Sequence, residues 1–214
     1  LNAFYEIKKI DENLKKIFDD FGLPENRAIE KNFESIVKII IGQQISTNVA
    51  KKIYEKLDQN KMLSEQVLSK SSIEDLKNFG LSTQKSFYIK NLATLSLNKQ
   101  LDISSLDKLS SEEVTSVLLP IKGIGQWTIN NFKIFALQDV NAWPSADLAL
   151  QEAVKILLNL IKRPSQIEME DLGQNWAIKP KIGELCFIRA KLTVKFGLLF
   201  INSLVPSIGS INQK

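Results

Sequence analysis

The sequence predicts an all-α fold. Three observations carry this: apolar residues recur at spacings of three and four along most of the chain, Ser-x-x-Glu spacings open two of the apolar runs, and no run shows the turn-bounded, period-two alternation of a strand. Phe4, Ile7, Ile10, Leu14, Ile17, Phe18 and Phe21 fall on one helical face that ends near Gly22 and Pro24. Phe33, Ile36, Val37, Ile40 and Ile41 form a second stripe. The polar corner Gly42-Gln43-Gln44-Ile45-Ser46 interrupts it before Val49, Ala50, Ile53 and Leu57 resume. Ser72 to Asp75 starts a short helix stopped at Gly80, and Ser82 is placed to cap another that carries Phe87, Leu92 and Leu95.

Ser110-x-x-Glu113 is a capping box opening a helix that runs into Leu119-Pro120-Ile121-Lys122-Gly123-Ile124-Gly125-Gln126-Trp127-Thr128. Ile129, Phe132, Phe135, Ala136 and Leu137 continue beyond at helical spacing, so the glycine segment joins two helices. Asp147 heads the next run, Leu148 to Ile161. Ser165-x-x-Glu168 caps a following piece before the segment from Pro180 to Phe200. No fixed-period repeat, low-complexity linker or domain break appears, and the packing order of the helices is not readable from the pattern.

At 214 residues the chain can build one substantial core or two small lobes. Hydrophobic residues at 44% and charged residues at 24% are ordinary for a folded protein, and no apolar stretch is long enough to cross a bilayer. Leu1 to Ile10 mixes Glu and Lys with apolar positions, an amphipathic helix and not a secretory signal. The expected location is therefore intracellular: cytoplasm or nucleoid, or nucleus in a eukaryote. A net charge of +4 favours a polyanionic partner only weakly. The single cysteine, Cys186, excludes an internal disulfide, a cysteine-ligated zinc site and a four-cysteine iron-sulfur cluster. With no histidine there is no Ser-His-Asp triad. Any chemistry rests on carboxylates, lysines, hydroxyls or the backbone.

The glycine segment and the aspartate are the informative features. Gly123 and Gly125 let the backbone turn tightly and approach a ligand closely, and amides at the start of the following helix form a site for an anion such as a DNA phosphate. Asp147 lies twenty residues after Trp127, in Trp143-Pro144-Ser145-Ala146-Asp147-Leu148. Plainer readings stay open for each. A Gly-x-Gly turn serves as an ordinary loop, and an aspartate ahead of a helix serves as an N-cap worth about 1 kcal/mol, a role compatible with catalysis. Trp127 could pack in a core, Gln43 and Gln44 could be surface residues, and Lys51, Lys52, Lys85 and Lys90 are expected on solvated faces. Trp143 and Trp176 read as packing residues.

Taken together, the hairpin, Asp147, the Ile41-Gly42-Gln43-Gln44-Ile45-Ser46 corner and Gly80-Leu81-Ser82-x-x-Lys85-x-x-Tyr88 resemble the helix-hairpin-helix (HhH-GPD) DNA glycosylase superfamily. The match is to its 3-methyladenine DNA glycosylase II branch in compact form, without an added N-terminal β-rich domain, and it runs from about residue 33 to about residue 160. The resemblance implies a single glycosylase unit over 1–214 made of two all-α lobes with the lesion pocket between them. One lobe is a helical barrel over about 27–137 with the hairpin at 118–128, and the other is built from about 1–26 and 138–214.

The resemblance further implies that hairpin amides at Gly123 and Gly125 grip phosphates of double-stranded DNA containing alkylated bases, with Thr128 starting the second helix beside the phosphate. Carbonyls of Leu119, Ile121 and Ile124 would hold a Na+ or K+ ion when DNA is bound, no other cofactor being expected and the protein acting as a monomer. Gln44 matches the side chain that enters the gap left by a flipped nucleotide. Asp147 matches the catalytic carboxylate, with Glu152 a helical turn too late.

Elementary chemistry supports that assignment. An N-alkylated purine carries positive charge and leaves readily, so a carboxylate facing the developing oxocarbenium ion can stabilise it and direct water without histidine. The flipped base needs an aromatic platform, and Trp127 is the candidate. Relatives with lyase activity carry a lysine where this chain has Trp127, so hydrolysis without strand cleavage is expected. The stretch Trp176-Ala177-Ile178-Lys179-Pro180-Lys181 departs from the branch's Trp-x-Pro-x-Arg-Ser pattern, which leaves the C-terminal pocket residues open. The competing readings are a non-catalytic module that recognises damaged DNA, and a glycosylase for another base: uracil, hypoxanthine or an oxidised purine.

Overall fold

In the computed structural model, which describes Lys15, Asp19, residues 28–139 and residues 142–175, every regular element is helical, and there is no strand among the described residues. Nor is any described helix long and apolar enough to cross a membrane. The chain divides into two compact units, Ala28–Leu137 and Leu1–Arg27 with Gln138–Lys214.

The unit Ala28–Leu137 is organised on helix α1, Phe33–Gly42. Its stripe residues Phe33, Ile36, Val37, Ile40 and Ile41 are all buried, each gaining roughly 1.5–3 kcal/mol from leaving water. Around it come α2 (Thr47–Gln59), α3 (Glu65–Lys70), α4 (Ile73–Asn78) and α5 (Thr83–Leu97), then a 3-10 turn at Ile103–Lys108, α6 (Ser111–Leu118) and α7 (Gln126–Phe132). Helix α1 packs against α2, α5 and α7, which makes it the centre of the unit. One continuous core joins its stripe to Leu57, Leu68, Leu76, Ile89, Leu92, Leu118 and Phe132.

Local chemistry decides where these helices start and stop. Asn32, Ser46, Ser64, Ser72, Ser82 and Ser110 each accept a backbone N–H of the first turn. Gly80, at φ +98, ends the passage out of α4 in a left-handed conformation that a residue with a Cβ adopts at a cost. Tyr54 of α2 donates its hydroxyl to the Glu34 carboxylate of α1. Burial first, and that carboxylate second, hold the phenol well above its usual range.

The structure departs from the sequence reading in several places. Val49 is 47% exposed and Phe87 46% exposed, so neither belongs to a buried stripe. Helix α3 and the 3-10 turn have too few residues to generate a period and were not anticipated. Beyond Phe132 the chain does not continue as α-helix but widens into a π-helical turn over Lys133–Leu137. Within it Lys133 is buried, its Nζ donating to Ser111 Oγ at 2.9 Å and Thr115 Oγ1 at 2.6 Å, and the Phe135 carbonyl accepts the Ile29 amide at 2.9 Å. Lys85 and Lys90 are not on solvated faces: their ammonium groups donate to the Ile41 carbonyl at 2.7 Å and the Ser71 carbonyl at 2.6 Å.

In the other unit, α8 (Leu148–Leu157) and α9 (Gln166–Asn175) bury Leu150, Val154 and Met169 together, with Trp143, Leu158 and Leu172 packed on them. Trp143 is thus the packing residue expected. Ser165 and Glu168 form the expected reciprocal cap at 3.3 and 2.7 Å. Of the expected helix over residues 4–21 only Lys15 and Asp19 are described, both helical; the Pro180–Phe200 segment, Cys186 and the divergent stretch at Trp176 lie outside the described residues.

The capping box of α6 yields a test. Ser110 Oγ accepts from the Glu113 amide at 3.2 Å, and Glu113 accepts from the Ser110 amide at 2.7 Å. That backbone bond, and then the bond from the Ser110 hydroxyl, hold the Glu113 carboxyl below its ordinary range. A depressed folded-state pKa contributes stability that is complete above the ordinary glutamate range and is lost as pH falls through the lowered value of the folded state. Glu113→Gln is expected to flatten the acid limb of a plot of Tm against pH. Ser110→Ala is expected to destabilise the unit by about 1 kcal/mol at neutral pH in urea unfolding.

Candidate nucleic-acid interface

The link between α6 and α7 is a tight turn pinned on one side and bare on the other. The Ile121 amide donates to the Leu118 carbonyl at 3.1 Å and the Ile124 amide to the Ile121 carbonyl at 2.9 Å, folding the chain back on itself. Ile121 and Ile124 are buried in the core, whereas Leu119, Lys122 and Gly125 are exposed. The turn therefore hangs from two apolar anchors and shows its polar backbone outward.

The two glycines have different physical reasons. Gly123 sits at φ +94, and a Cβ built there would overlap the ring of Tyr88 from α5. Only glycine fits both the conformation and the ring. Gly125 has φ −96 and ψ 177, a backbone that any residue adopts, and no atom lies within 4 Å of a built Cβ. It is the N-cap residue of α7 and, alone among the described α-helix starts, provides no side-chain cap. What its missing side chain leaves is open space over a helix N-terminus, where first-turn amides and the helix dipole favour an anion.

The corner between α1 and α2 is tied to this turn. Gln43 Nε2 donates to the Gly123 carbonyl at 3.0 Å and to Thr128 Oγ1 at 2.9 Å. The next residue, Gln44, is exposed and stands at φ +55, a left-handed conformation uncommon outside glycine and asparagine. Sequence reasoning selected Gln44 and passed over Gln43, because an internal bond across eighty residues leaves no local signal. Lys85 holds the Ile41 carbonyl at the end of α1, and burial pushes its ammonium pKa down. Lys122 places its ammonium 5.0 Å from the centre of the Phe87 ring, a cation-π contact beside the turn.

Two expectations need correction or refinement. Thr128 does not begin the second helix: it is the third residue of α7, its side chain is 2% exposed, and its hydroxyl is bonded to Gln43. That hydroxyl supports the turn from within and does not face a phosphate. Trp127 lies in the first turn of α7, half-buried, with its carbonyl accepting from Asn131 Nδ2 at 2.8 Å. Of the carbonyls expected to face a cation, that of Ile121 already accepts the Ile124 amide and would share its oxygen through the second lone pair.

Asp147 belongs to the other unit, where it is held as the N-cap of α8. Its Oδ1 accepts the Leu150 amide at 2.8 Å, and its own amide donates to the Pro144 carbonyl at 2.9 Å. The loop ahead of it is fastened from several directions. Trp143 Nε1 donates to the Met169 carbonyl at 2.8 Å, the Ser145 hydroxyl to Glu170 at 3.1 Å, and Gln151 Nε2 to the Ser145 carbonyl at 2.8 Å. Gly173 makes room for Trp143, whose indole would collide with any Cβ there. Asp147 as a residue is half-buried, and its backbone is fixed by these bonds. Glu152, the other acidic residue of this helix, pairs with Lys155 at 3.1 Å.

Comparison with known proteins places this arrangement. The profile of the HhH-GPD superfamily of base excision DNA repair proteins matches residues 37–178, a span that includes the second half of α1, the hairpin and Asp147. An alkylbase DNA glycosidase-like protein of Schizosaccharomyces pombe is 30% identical over 146 residues, covering 65% of this chain and 68% of the relative. The solved 3-methyladenine DNA glycosylase of the same yeast, in complex with abasic DNA, superposes with a TM-score of 0.73 at 24% identity, covering 88% of this chain and 95% of that one. An 8-oxoguanine glycosylase/lyase of Clostridium acetobutylicum, bound to double-stranded DNA, superposes with a TM-score of 0.75 at 17% identity, covering 94% and 70%. At these identities the two structures establish the fold.

The glycines can be separated by mutation. Gly123→Ala must adopt a left-handed backbone, at roughly 1–2 kcal/mol, and also displace Tyr88, so thermal unfolding should show a clear loss of stability. Tyr88→Ala in that background should recover the second part of the loss and not the first. Gly125→Ala should unfold within about 0.5 kcal/mol of wild type, since its backbone and surroundings accept a methyl group.

Proposed function

The chain belongs to the HhH-GPD superfamily of base excision DNA repair proteins, and from that premise we propose that it is a monofunctional DNA N-glycosylase. It turns an alkylated purine of the 3-methyladenine or 7-methylguanine kind out of the duplex and hydrolyses its glycosidic bond. The observation that carries the reading is the bare start of α7: a helix N-terminus without a side-chain cap, on a turn held rigid by Gly123, Tyr88 and Gln43. Amides so placed suit a phosphate of the DNA backbone. The names of the relatives, several of them DNA-3-methyladenine glycosylases, agree with it.

In the proposed reaction the bond from the deoxyribose C1′ to the purine nitrogen breaks first. Its electron pair neutralises the positive charge of the alkylated ring, so the base needs no acid to leave. The Asp147 carboxylate faces the oxocarbenium ion left behind and accepts a proton from the water whose oxygen bonds to C1′, as a carboxylate does in glycoside hydrolysis. Trp127 offers an indole face to the cationic base. Gln44 fills the gap in the duplex, its left-handed backbone aiming an exposed side chain from the corner.

Carbonyls of Leu119, Ile121 and Ile124, neutral oxygen donors on a tight turn, would hold a sodium or potassium ion and add positive charge near the phosphate. Lyase chemistry is not part of the proposal: Trp127 stands at the position of the lyase lysine, and nearby Lys133 is buried on two hydroxyls. The protein is proposed to act as a monomer inside the cell.

Incubation with N-methylated duplex DNA, followed by chromatography of the released bases, tests the reading. Free 3-methyladenine or 7-methylguanine is the expected product, with no strand scission and no adduct on borohydride trapping. Binding of damaged duplex without release of any base would establish a recognition module instead, and release of uracil, hypoxanthine or an oxidised purine from a lesion panel would reassign the substrate. Asp147→Asn should retain binding while single-turnover release falls at least about a hundredfold. Gly125→Ala should stay folded and bind the duplex more weakly, because its methyl group stands where the phosphate approaches.

A further inference from the structure

The corner at Gln43 and Gln44 and the glycine turn are far apart in sequence, yet one side-chain amide joins them. Gln43 Nε2 spends its two hydrogens on the Gly123 carbonyl and the Thr128 hydroxyl, one on each side of Gly125. The amide thus spans the α7 start from behind and leaves its outer face uncovered. Thr128 is buried and Gln43 half-buried, so both bonds are shielded from competing water. From the same corner Gln44 projects at φ +55, a conformation that persists only where surrounding structure holds it. The holders are identifiable: Gln43 fastened to the turn on one side, and the Ile41 carbonyl fastened by Lys85 on the other. Lys85 and Tyr88 lie one turn apart on α5, so the helix that secures the corner also supplies the ring beneath Gly123.

We propose that Gln43 is a positioning residue that makes the corner and the hairpin one rigid body, so that the grip on a phosphate and the entry of Gln44 into the duplex are energetically coupled. Gln43 does not touch DNA in this scheme. Its effect passes through Gly123 and Thr128 to the amides, and through the backbone to Gln44. The inference rests on the glycosylase reading for its consequence on DNA, but the mechanical linkage exists in the free protein and is measurable there.

Gln43→Met retains length and volume and removes both donors; Thr128→Val removes one acceptor at the far end while keeping shape. Amide hydrogen exchange of the free proteins is the first measurement. Both variants should exchange at least about fivefold faster at Gln44, Ile45 and Gly123–Thr128, with the Ile36–Ile40 amides of α1 unchanged. The second is affinity for a duplex with an abasic-site analogue, measured for wild type, Gln44→Ala, Gln43→Met and the double variant. Gln43→Met should weaken binding about tenfold, and the loss from Gln44→Ala should shrink to within twofold in its background, a non-additivity that simple loss of stability would not create. Unchanged exchange in both variants, or an undiminished Gln44→Ala loss beside normal wild-type binding, overturns the inference. Faster exchange in a protein whose wild type shows no preference for the abasic duplex overturns the glycosylase reading and leaves the linkage standing.

Discussion

The structure depends on a close approach between a backbone and a ring. Tyr88, on the inner side of α5, occupies the volume where any side chain at Gly123 would stand. That contact forces glycine, the glycine permits φ +94, and the resulting turn lets Ile121 and Ile124 both reach the core within four residues. The backbone between and after them is then exposed by construction. A helix that begins on such a turn, with a second glycine in place of a capping side chain, has first-turn amides and the positive end of its dipole available to an anion. On the proposed reading, the hairpin binds through backbone presented by packing on its opposite face, and it needs no basic patch. That suits a chain whose excess of positive charge is only +4.

In the other unit, the aspartate of the proposed reaction meets a different requirement. A carboxylate that is to face a developing cation must be fixed in place and remain ionised near solvent. Asp147 is fixed by its cap on α8 and by a preceding loop held at Trp143, Ser145 and Gln151. Gly173 contributes by yielding space to the Trp143 indole. These bonds orient the main chain that carries the aspartate, and the small core of Leu150, Val154 and Met169 anchors them. One oxygen of that carboxylate, Oδ1, serves the helix by accepting the Leu150 amide. Without histidine anywhere in the chain, this division of labour is what lets hydrolysis of an activated N-glycosidic bond proceed on the proposed reading.

Much of this was legible in the residues. The stripe Phe33 to Ile41 has the helical period and is buried throughout. Ser72, Ser82, Ser110 and Ser165 announce helix starts because capping is local chemistry, complete within four residues. Long-range and short features escaped. Helix α3 and the Ile103–Lys108 turn are too brief for periodicity to register. Val49 and Phe87 satisfy the period but meet solvent, since spacing tells which face a residue shares and not how wide the buried arc is. The π-helical turn and the inward Lys133 depend on hydroxyls of α6, some twenty residues earlier. Thr128 was placed by position alone, and its true role required knowing that Gln43 reaches it.

On this account the hairpin backbone is the surface that meets DNA. Titration of 15N-labelled protein with a duplex carrying an abasic-site analogue, followed by amide chemical shifts, examines that contact directly. The largest shifts should fall on Gly123, Gly125 and Gln126, and replacing one phosphate near the analogue with a neutral methylphosphonate should abolish them. Saturation of binding with those three amides unmoved would contradict the account.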